Sequence, residues 1–329
     1  MYFPERFLLY LSKTAHKVQP PGSLPGIRPL DKALLLFLLF SLFIGCAGSP
    51  KKLRIKGVNK PYPTDTIIRT KTGQPIAFDK MIADLETAKI IYIGEQHTNP
   101  EHHEIQLRIL KRLTEIHPEL SVGMEMFAHP YQSILAQWTK GTLSEAQFLE
   151  KTHWYANWKF DFALYQNLLE FIKQNHIPLI GLNVPFHIPP KIAVGGIDSL
   201  SSCDKGYLPD TIDTADKKHR KYVQSVFKQH HQPGLNNFDY FYEAQCVWED
   251  AMAERIVQRL DNHPMLVFAG SGHLRHAYGI PLRAHNRNPA EYRTVLPLSA
   301  GQTVEADISD YIWVTPEPDK PPHRMPLNN

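Results

Sequence analysis

Five short apolar runs, each closed by a polar residue or a turn, constrain the fold of this chain more than any other feature. They are Ile90–Ile93, Ser121–Met126, Pro178–Asn183, Met265–Ala269 and Tyr292–Leu298. Amphipathic stretches separate them; in one, Ile105, Ile109 and Leu113 recur every four residues, as on one face of a helix. Short strands that alternate with helices are typical of a parallel sheet covered on both faces. The sequence therefore predicts a single α/β domain with a mainly parallel β-sheet flanked by helices.

The N-terminal part has the order of an export signal. A 13-residue apolar run, Ala33–Gly45, follows Arg28 and Lys32 and ends at Cys46. A membrane-spanning helix needs about 20 apolar residues, so this run is too short to span and fits a secretory signal. Its Gly-Cys end resembles a bacterial lipobox, which implies lipid attachment to Cys46. By the same resemblance, Ala47 after the cysteine indicates the outer membrane as the location.

These features divide the chain into four segments. The predicted division is 1–45 as N-terminal extension and lipoprotein signal peptide, 46–60 as a lipid-anchored tether, 61–310 as the α/β domain and 311–329 as a Pro-rich tail. The extension and tail are set aside from the fold because Pro-rich and targeting segments add little to a packed core.

The composition excludes several classes of protein. Hydrophobic residues make up 43% and charged residues 21%, near the averages of globular chains, so collagen-like and wholly disordered structures are excluded. The net charge is +3, with both signs spread along the chain, so we expect no nucleic-acid partner. The 17 histidines are an excess that directs attention to imidazole chemistry.

Polar residues fall at or just after the carboxyl ends of the predicted strands. Glu95 and His97 follow the first strand, Glu125 ends the second, Asn183 ends the third and His273 follows the fourth. In an open α/β sheet these ends line one crevice, the usual ligand site. Two of the segments share the form GxxH, in which we expect the glycine to let the chain turn sharply off the strand. The sequence therefore predicts a shared functional cleft.

Several sequence blocks resemble the ChaN-like family of haem-binding uptake lipoproteins. The blocks are GEQHTNPEHHEIQLRIL from Gly94, GMEMF from Gly123, LNVP from Leu182, AQCVWEDAMAERI from Ala244 and AGSGHLRHAYGIPLRA from Ala269. Together they span roughly residues 85 to 300. The resemblance implies a lipid-anchored protein that binds haem as its cofactor, is compatible with a haem-linked homodimer, and implies an outer-membrane haem receptor as a partner. The same fold class includes erythromycin-esterase-like hydrolases and Tiki/TraB-type metalloproteases.

The side chains that haem needs are present. Ferric haem takes a His nitrogen or a Tyr phenolate as axial ligand, apolar walls for the macrocycle and cations for its propionates. We expect haem to lie in the cleft at the carboxyl ends of the strands. The candidates for haem contact are His97, His273, His276, Tyr155, Tyr165 and Tyr278, with Arg275 and Arg283. We expect a nearby arginine to favour the phenolate form of Tyr278.

A hydrolase remains the alternative function, although the sequence favours a protein that is not an enzyme. A divalent metal such as Zn held by His97, Glu125 and His273 would lower the pKa of a bound water, with Glu95 as the base. A metal-free version would use a histidine and Glu95 to activate water directly. No HExxH motif is present in the chain.

Overall fold

The computed structural model of the protein describes residues 51–229 and 237–318. Its strands are β1 (Arg54–Ile55), β2 (Ile67–Arg69), β3 (Gln74–Ile76), β4 (Ile90–Glu95), β5 (Ser121–Ala128), β6 (Leu179–Asn183), β7 (Met265–Gly270), β8 (Tyr292–Ser299), β9 (Thr303–Val304) and β10 (Tyr311–Thr315). Eight of them form one sheet in the order β3-β2-β10-β8-β4-β7-β5-β6, and β1 pairs separately with β9.

Most of the sheet is parallel. All neighbours from β10 through to β6 run parallel, whereas β2 pairs antiparallel with both β3 and β10. The five predicted strands are thus confirmed as β4, β5, β6, β7 and β8. β2 and β3 form an antiparallel hairpin that turns around Thr72–Gln74.

The described helices connect and cover these strands. They are α1 (Phe78–Leu85), α2 (Pro100–Ile116), α3 (Gln132–Thr139), α4 (Glu145–Thr152), α5 (Trp154–Asn157), α6 (Gln166–Gln174), α7 (Ile188–Gly195), α8 (Ser202–Lys205), α9 (Lys217–Gln229), α10 (Phe238–Arg259) and α11 (Ile280–Arg287). Short 3₁₀ turns lie between several of them, including Ser271–His273 and Arg275–Ala277 directly after β7.

Strand β4 shows why the sheet needs helices on both faces. Every residue of β4 is buried, and successive side chains of a strand point to opposite faces. Accordingly, Ile91 and Ile93 pack into one core with α1 and α2, whereas Ile90 and Tyr92 pack into a second core with α10 and α11. A strand that is apolar on both faces is what a parallel sheet between two helical layers requires. The predicted fold class is therefore confirmed.

The folded domain extends beyond the predicted boundaries at both ends. Leu53 and Ile55, placed in the tether, are buried, and β1 pairs with β9. Residues 311–315, placed in the tail, form β10 between β2 and β8 inside the sheet. The prediction missed β10 because it is five residues long and is followed closely by prolines. The signal, Cys46 and residues 319–329 lie outside the described residues.

None of the helices in residues 51–229 and 237–318 is both long and apolar enough to cross a bilayer.

Candidate functional site

The carboxyl edge of the parallel sheet gathers the polar residues that the sequence singled out. Glu95 ends β4, Glu125 lies near the end of β5, and His273 follows β7 by three residues. Asn183 ends β6, and its amide nitrogen donates to the Glu125 carbonyl oxygen at 2.9 Å. Because parallel strands end at the same edge, residues far apart in sequence meet here.

His97 is oriented by the buried carboxylate of Glu95. His97 Nδ1 lies 2.8 Å from Glu95 Oε1, which also accepts a hydrogen bond from the Tyr165 hydroxyl at 2.7 Å. The other oxygen of Glu95 accepts from Gln106 at 2.9 Å and lies 3.4 Å from His103 Nδ1. A carboxylate on Nδ1 places the proton there and leaves Nε2 of His97 for other partners.

The charges of this group shift its pKa values. Burial opposes ionisation of Glu95, but His103 and His97 beside it hold its pKa below the usual value. Burial also disfavours the charged form of His97, yet its hydrogen bond to Glu95 and the charge of Glu125 raise its pKa. The neighbours of each group therefore favour its charged form.

His273 repeats this arrangement on the other side of Glu125. Its Nδ1 lies 3.0 Å from Glu249 Oε1, and its Nε2 lies 3.6 Å from Glu125 Oε1. Glu125 Oε2 accepts the backbone N–H of Gly270 at 2.6 Å. Burial opposes the charged form of His273, but Glu125 and Glu249 raise its pKa to about 10. Two histidines, each anchored at Nδ1 by a buried carboxylate, thus flank a third carboxylate.

The glycines of the two GxxH segments act differently from the prediction. Gly94 and Gly270 lie within strands, so neither makes a sharp turn. A Cβ on Gly270 would lie 3.0 Å from His97 Cε1 and 3.4 Å from Glu125 Oε2, and a Cβ on Gly94 would lie 2.5 Å from Leu296 Cδ2. These glycines are needed because side chains cross closely over the backbone.

Aromatic rings form the wall beside His97. The centroids of Trp158 and Phe160 lie 4.8 and 5.1 Å from that of His97, and Phe186 packs on Trp158 at 5.8 Å. Most of the aromatic residues in the segment from Trp154 to Tyr165, however, are buried in the core. The segment is therefore mainly structural, and only its edge at Trp158 and Phe160 borders the site.

Helix α10 supplies partners to the site that the pattern of polar residues at strand ends did not indicate. Gln245 and Glu249 are four residues apart, and both contact His273 Nδ1, at 2.9 and 3.0 Å. His219 of α9, which the sequence did not single out, lies 2.9 Å from Glu249 Oε2. The Gln-x-x-x-Glu spacing was a signal for a shared helix face, but nothing local indicated which element that face would meet.

Two predicted haem contacts are internal to the protein. Tyr165 is fully buried, and its hydroxyl is committed to Glu95; burial and Glu95 raise the pKa of this phenol well above its usual value. Arg283 is 3% exposed and is engaged by Asp250 and Glu249. We therefore correct these two assignments, because a haem cannot reach either side chain without displacing core structure.

Three other candidates, Arg275, His276 and Tyr278, lie together at the surface next to His273. The rings of His276 and Tyr278 stack with centroids 5.1 Å apart and planes inclined by 20°. The ring of Tyr222 in α9 lies near both, with centroids 6.1 Å from that of His276 and 6.5 Å from that of Tyr278. Burial raises the pKa of Tyr222, and the charge of the nearby Arg275 opposes that rise. We call Tyr222, Arg275, His276 and Tyr278 the ring cluster. Tyr155, 54% exposed on α5, makes no ring contact or hydrogen bond with it in the described structure.

The expected effect of arginine on Tyr278 is not found. Burial raises the pKa of Tyr278, and the charges of Asp307 and Asp216 raise it further. Arg283, one of the arginines expected to act on it, is instead paired with acids inside the protein. The phenolate form of Tyr278 is therefore not favoured before a metal binds.

The described residues do not fit the divalent metal of the alternative function. Within 51–229 and 237–318, no group of three or more His, Cys, Asp or Glu side chains is placed to hold a metal ion. The Nδ1 atoms of His97 and His273 already face carboxylates, and His273 Nε2 lies 3.6 Å from Glu125 Oε1.

Solved structures with the same fold include a haem protein. A structure of ChaN of Campylobacter jejuni that describes cofacial haem binding matches with a TM-score of 0.63 and 22% identity over 75% of this chain and 95% of that chain. An erythromycin esterase mutant in its open conformation matches with a TM-score of 0.42 and 15% identity, over 71% of this chain and 76% of that one. A protein of Bacillus cereus matches with a TM-score of 0.40 and 15% identity, over 67% of this chain and 68% of that one. The last two scores indicate only a distant similarity of shape.

The sequence comparison identifies the family. No curated protein matches the chain significantly. The profile of the family described as haem-binding uptake, Tiki superfamily, ChaN matches residues 81–284, which is more than half of the 329 residues. That range contains the strand-end residues, the ring cluster and both GxxH segments, in agreement with the resemblance seen in the sequence. The chain therefore belongs to the ChaN family of haem-binding uptake proteins of the Tiki superfamily.

Proposed function

We propose that this protein binds haem on the ring cluster and serves haem uptake. Membership of a haem-binding family supports haem as the ligand. The observation that carries the location is the stacked pair His276–Tyr278, half-buried at the surface beside Tyr222. Flat apolar rings suit the macrocycle, and a ligand that must be passed on fits an open surface better than a closed core.

His276 and Tyr278 are the two candidate iron ligands of this surface. His276 Nδ1 lies 2.9 Å from Asp307 Oδ1, so its Nε2 is the nitrogen left for iron. An imidazole held by a carboxylate in this way is a more basic metal ligand. Arg275 makes no ion pair with any described residue and is the cation available to a propionate. Bound haem would supply a ferric centre, and the chain would hold and orient it.

Haemin titration of the full chain tests the proposal. We expect a saturable Soret band, weakened or shifted in His276→Ala or in Tyr278→Phe, whichever removes the iron ligand. Tyr155→Phe, on a separate surface, serves as the control and should bind as the wild type does. If the wild-type spectrum does not saturate, or if both cluster variants match it, haem does not bind here.

The assembly and location of the protein are part of the same proposal. Lipid attachment at Cys46 would hold it at the outer membrane, where a haem receptor would supply its ligand, and haem would link two copies at their ring clusters. Mass spectrometry of the N-terminus of the mature protein should find a diacylated Cys46, and Cys46→Ala should release the protein from membranes. Sedimentation during the titration should show a doubling of mass as haem binds.

Metal-independent hydrolysis is a second candidate function. The observation that favours it is the buried carboxylate of Glu125 between His97 and His273, whose pKa values are raised: the carboxylate can act as a general base and a protonated histidine as a general acid. Glu125 Oε1, Asn183 Oδ1 and Ser271 Oγ are buried there without hydrogen-bond partners in the described structure, so polar atoms of a small substrate could satisfy them.

An ester-substrate screen distinguishes this function from haem binding. Hydrolysis should persist with a chelator present, be lost in His97→Gln, and remain in Tyr278→Phe. Hydrolysis that is equal in wild type and His97→Gln would reject it.

A further inference from the structure

Glu249 lies at the point where three elements meet beneath the ring cluster. It is fully buried in α10, and its two oxygens face different partners. Oε1 lies 3.0 Å from His273 Nδ1 and accepts from Gln245 at 2.7 Å. Oε2 lies 2.9 Å from His219 Nε2 and 3.3 Å from Arg283 Nε. One carboxylate thus joins α9, α11 and the segment after β7.

The proton on His219 can be assigned from its neighbours. Arg283 Nη2, which can only donate, lies 3.2 Å from His219 Nδ1. Nδ1 is therefore an acceptor, and the ring proton lies on Nε2, the nitrogen that is 2.9 Å from Glu249 Oε2. This fixes the orientation of the His219 ring and ties α9 to the carboxylate on α10.

Helix α9 is tied to the segment after β7 at a second point. Tyr222, three residues after His219, donates from its hydroxyl to the Gly272 carbonyl oxygen at 3.2 Å. Gly272 is adjacent to His273, the residue on Glu249 Oε1. Two ties, one buried through Glu249 and one at the surface through Tyr222, therefore fix α9 against residues 272–273.

The other end of the segment also packs on Glu249. A Cβ on Gly279 would lie 2.8 Å from Glu249 Oε1 and 2.4 Å from the His273 carbonyl oxygen. The residues between His273 and Gly279 include Arg275, His276 and Tyr278. The loop that carries most of the ring cluster therefore has both of its ends packed at this one carboxylate.

We propose that Glu249 is the positioning residue of the haem site: without touching haem, it holds α9 and the 272–279 segment together so that Tyr222, His276 and Tyr278 form one surface. The proposal rests on haem binding at the ring cluster. It accounts for a buried carboxylate that is surrounded by His219, His273 and Arg283 and has no access to a ligand of its own.

Glu249→Gln tests the role, because it removes the charge and keeps the shape. Haem affinity of the full chain should fall roughly 10- to 100-fold, the range typical when a residue supporting a metal ligand is lost, and the Soret maximum should move. Without haem, amide hydrogen exchange should rise in 217–228 and 272–279 and stay unchanged in β4 and β5. Glu254→Gln, half-exposed on the same helix, is the matched control and should change neither measurement.

The exchange measurement separates the two proposals. If wild-type protein fails to bind haem, the proposed function fails, while the exchange pattern still decides whether Glu249 positions these elements. Unchanged exchange and unchanged affinity in a folded Glu249→Gln variant overturn the inference. If that variant does not fold, His219→Gln removes the partner of Glu249 on α9. It should raise exchange in 217–228 and weaken haem binding, and wild-type behaviour in both measurements overturns the inference equally.

Discussion

At the scale of single residues, the site depends on the absence of side chains as much as on their presence. His97 crosses directly over Gly270, whose backbone N–H also binds Glu125. The same backbone atoms therefore leave room for the imidazole and hold the carboxylate next to it. A GxxH pattern in the sequence indicates that glycine and histidine belong together, but it does not reveal that the His97 ring lies over the glycine of the other segment.

We predict that Gly270→Ala disturbs the site whereas Gly272→Ala does not. A methyl group at 270 would lie 3.0 Å from His97 Cε1, so the ring must shift; overpacking of this kind costs about 1–3 kcal/mol. At 272 a methyl group meets nothing within 4 Å. Urea denaturation should show a lower free energy of unfolding only for the first variant. Equal stabilities would mean that the His97 ring yields without cost.

At the scale of elements, β10 shows how a segment that looks like a tail becomes part of the core. All five residues of β10 are buried, and it joins the antiparallel β2–β3 pair to the parallel part of the sheet through β8. Tyr311 also donates to Asp84 of α1 at 2.6 Å. Its burial is decided by pairing with strands that are distant in sequence.

A chain that ends at residue 310 should therefore not fold, whereas one that ends at 318 should. Loss of β10 leaves the edges of β2 and β8 unpaired inside the sheet, which buried backbone groups do not tolerate. Circular dichroism and thermal melting of the two truncated chains are the measurements. A cooperative transition of the shorter chain at the temperature of the longer one would show that β10 is dispensable.

At the scale of the whole molecule, charge alternates across the carboxyl edge of the sheet. The series runs from Glu95 through His97, Glu125 and His273 to Glu249, with the two histidines and three acids alternating. Burial opposes each charge, but the neighbours of Glu125 and Glu249, above all His273 and His219 respectively, lower their pKa values. Such a series stabilises the fold only while every member keeps its charge.

This alternation predicts how stability depends on pH. The folded pKa of His273 is raised from 6.5 to about 10, so its contribution is full below pH 6.5 and is lost as the pH rises toward 10. The acids have lowered pKa values, so their contribution is full above about pH 4.5 and is lost as the pH falls. Melting temperatures should therefore be highest between these limits. His273→Gln should flatten the alkaline decline, and His285→Gln should not; an unchanged slope in the first variant would contradict the assignment.

The local sequence determined the elements and the edge at which the site lies. The apolar runs predicted β4 to β8, and apolar residues at every fourth position predicted α2. The polar residues at strand ends placed Glu95, His97, Glu125 and His273 at one edge, because parallel strands end together. Only the tertiary structure decided which candidates are accessible. Tyr165 and Arg283 are enclosed, whereas His276 and Tyr278 meet Tyr222 from a helix more than 50 residues earlier. Accessibility and such distant contacts arise from the packing of α9 and α10 on the sheet, and no short stretch of sequence encodes that packing.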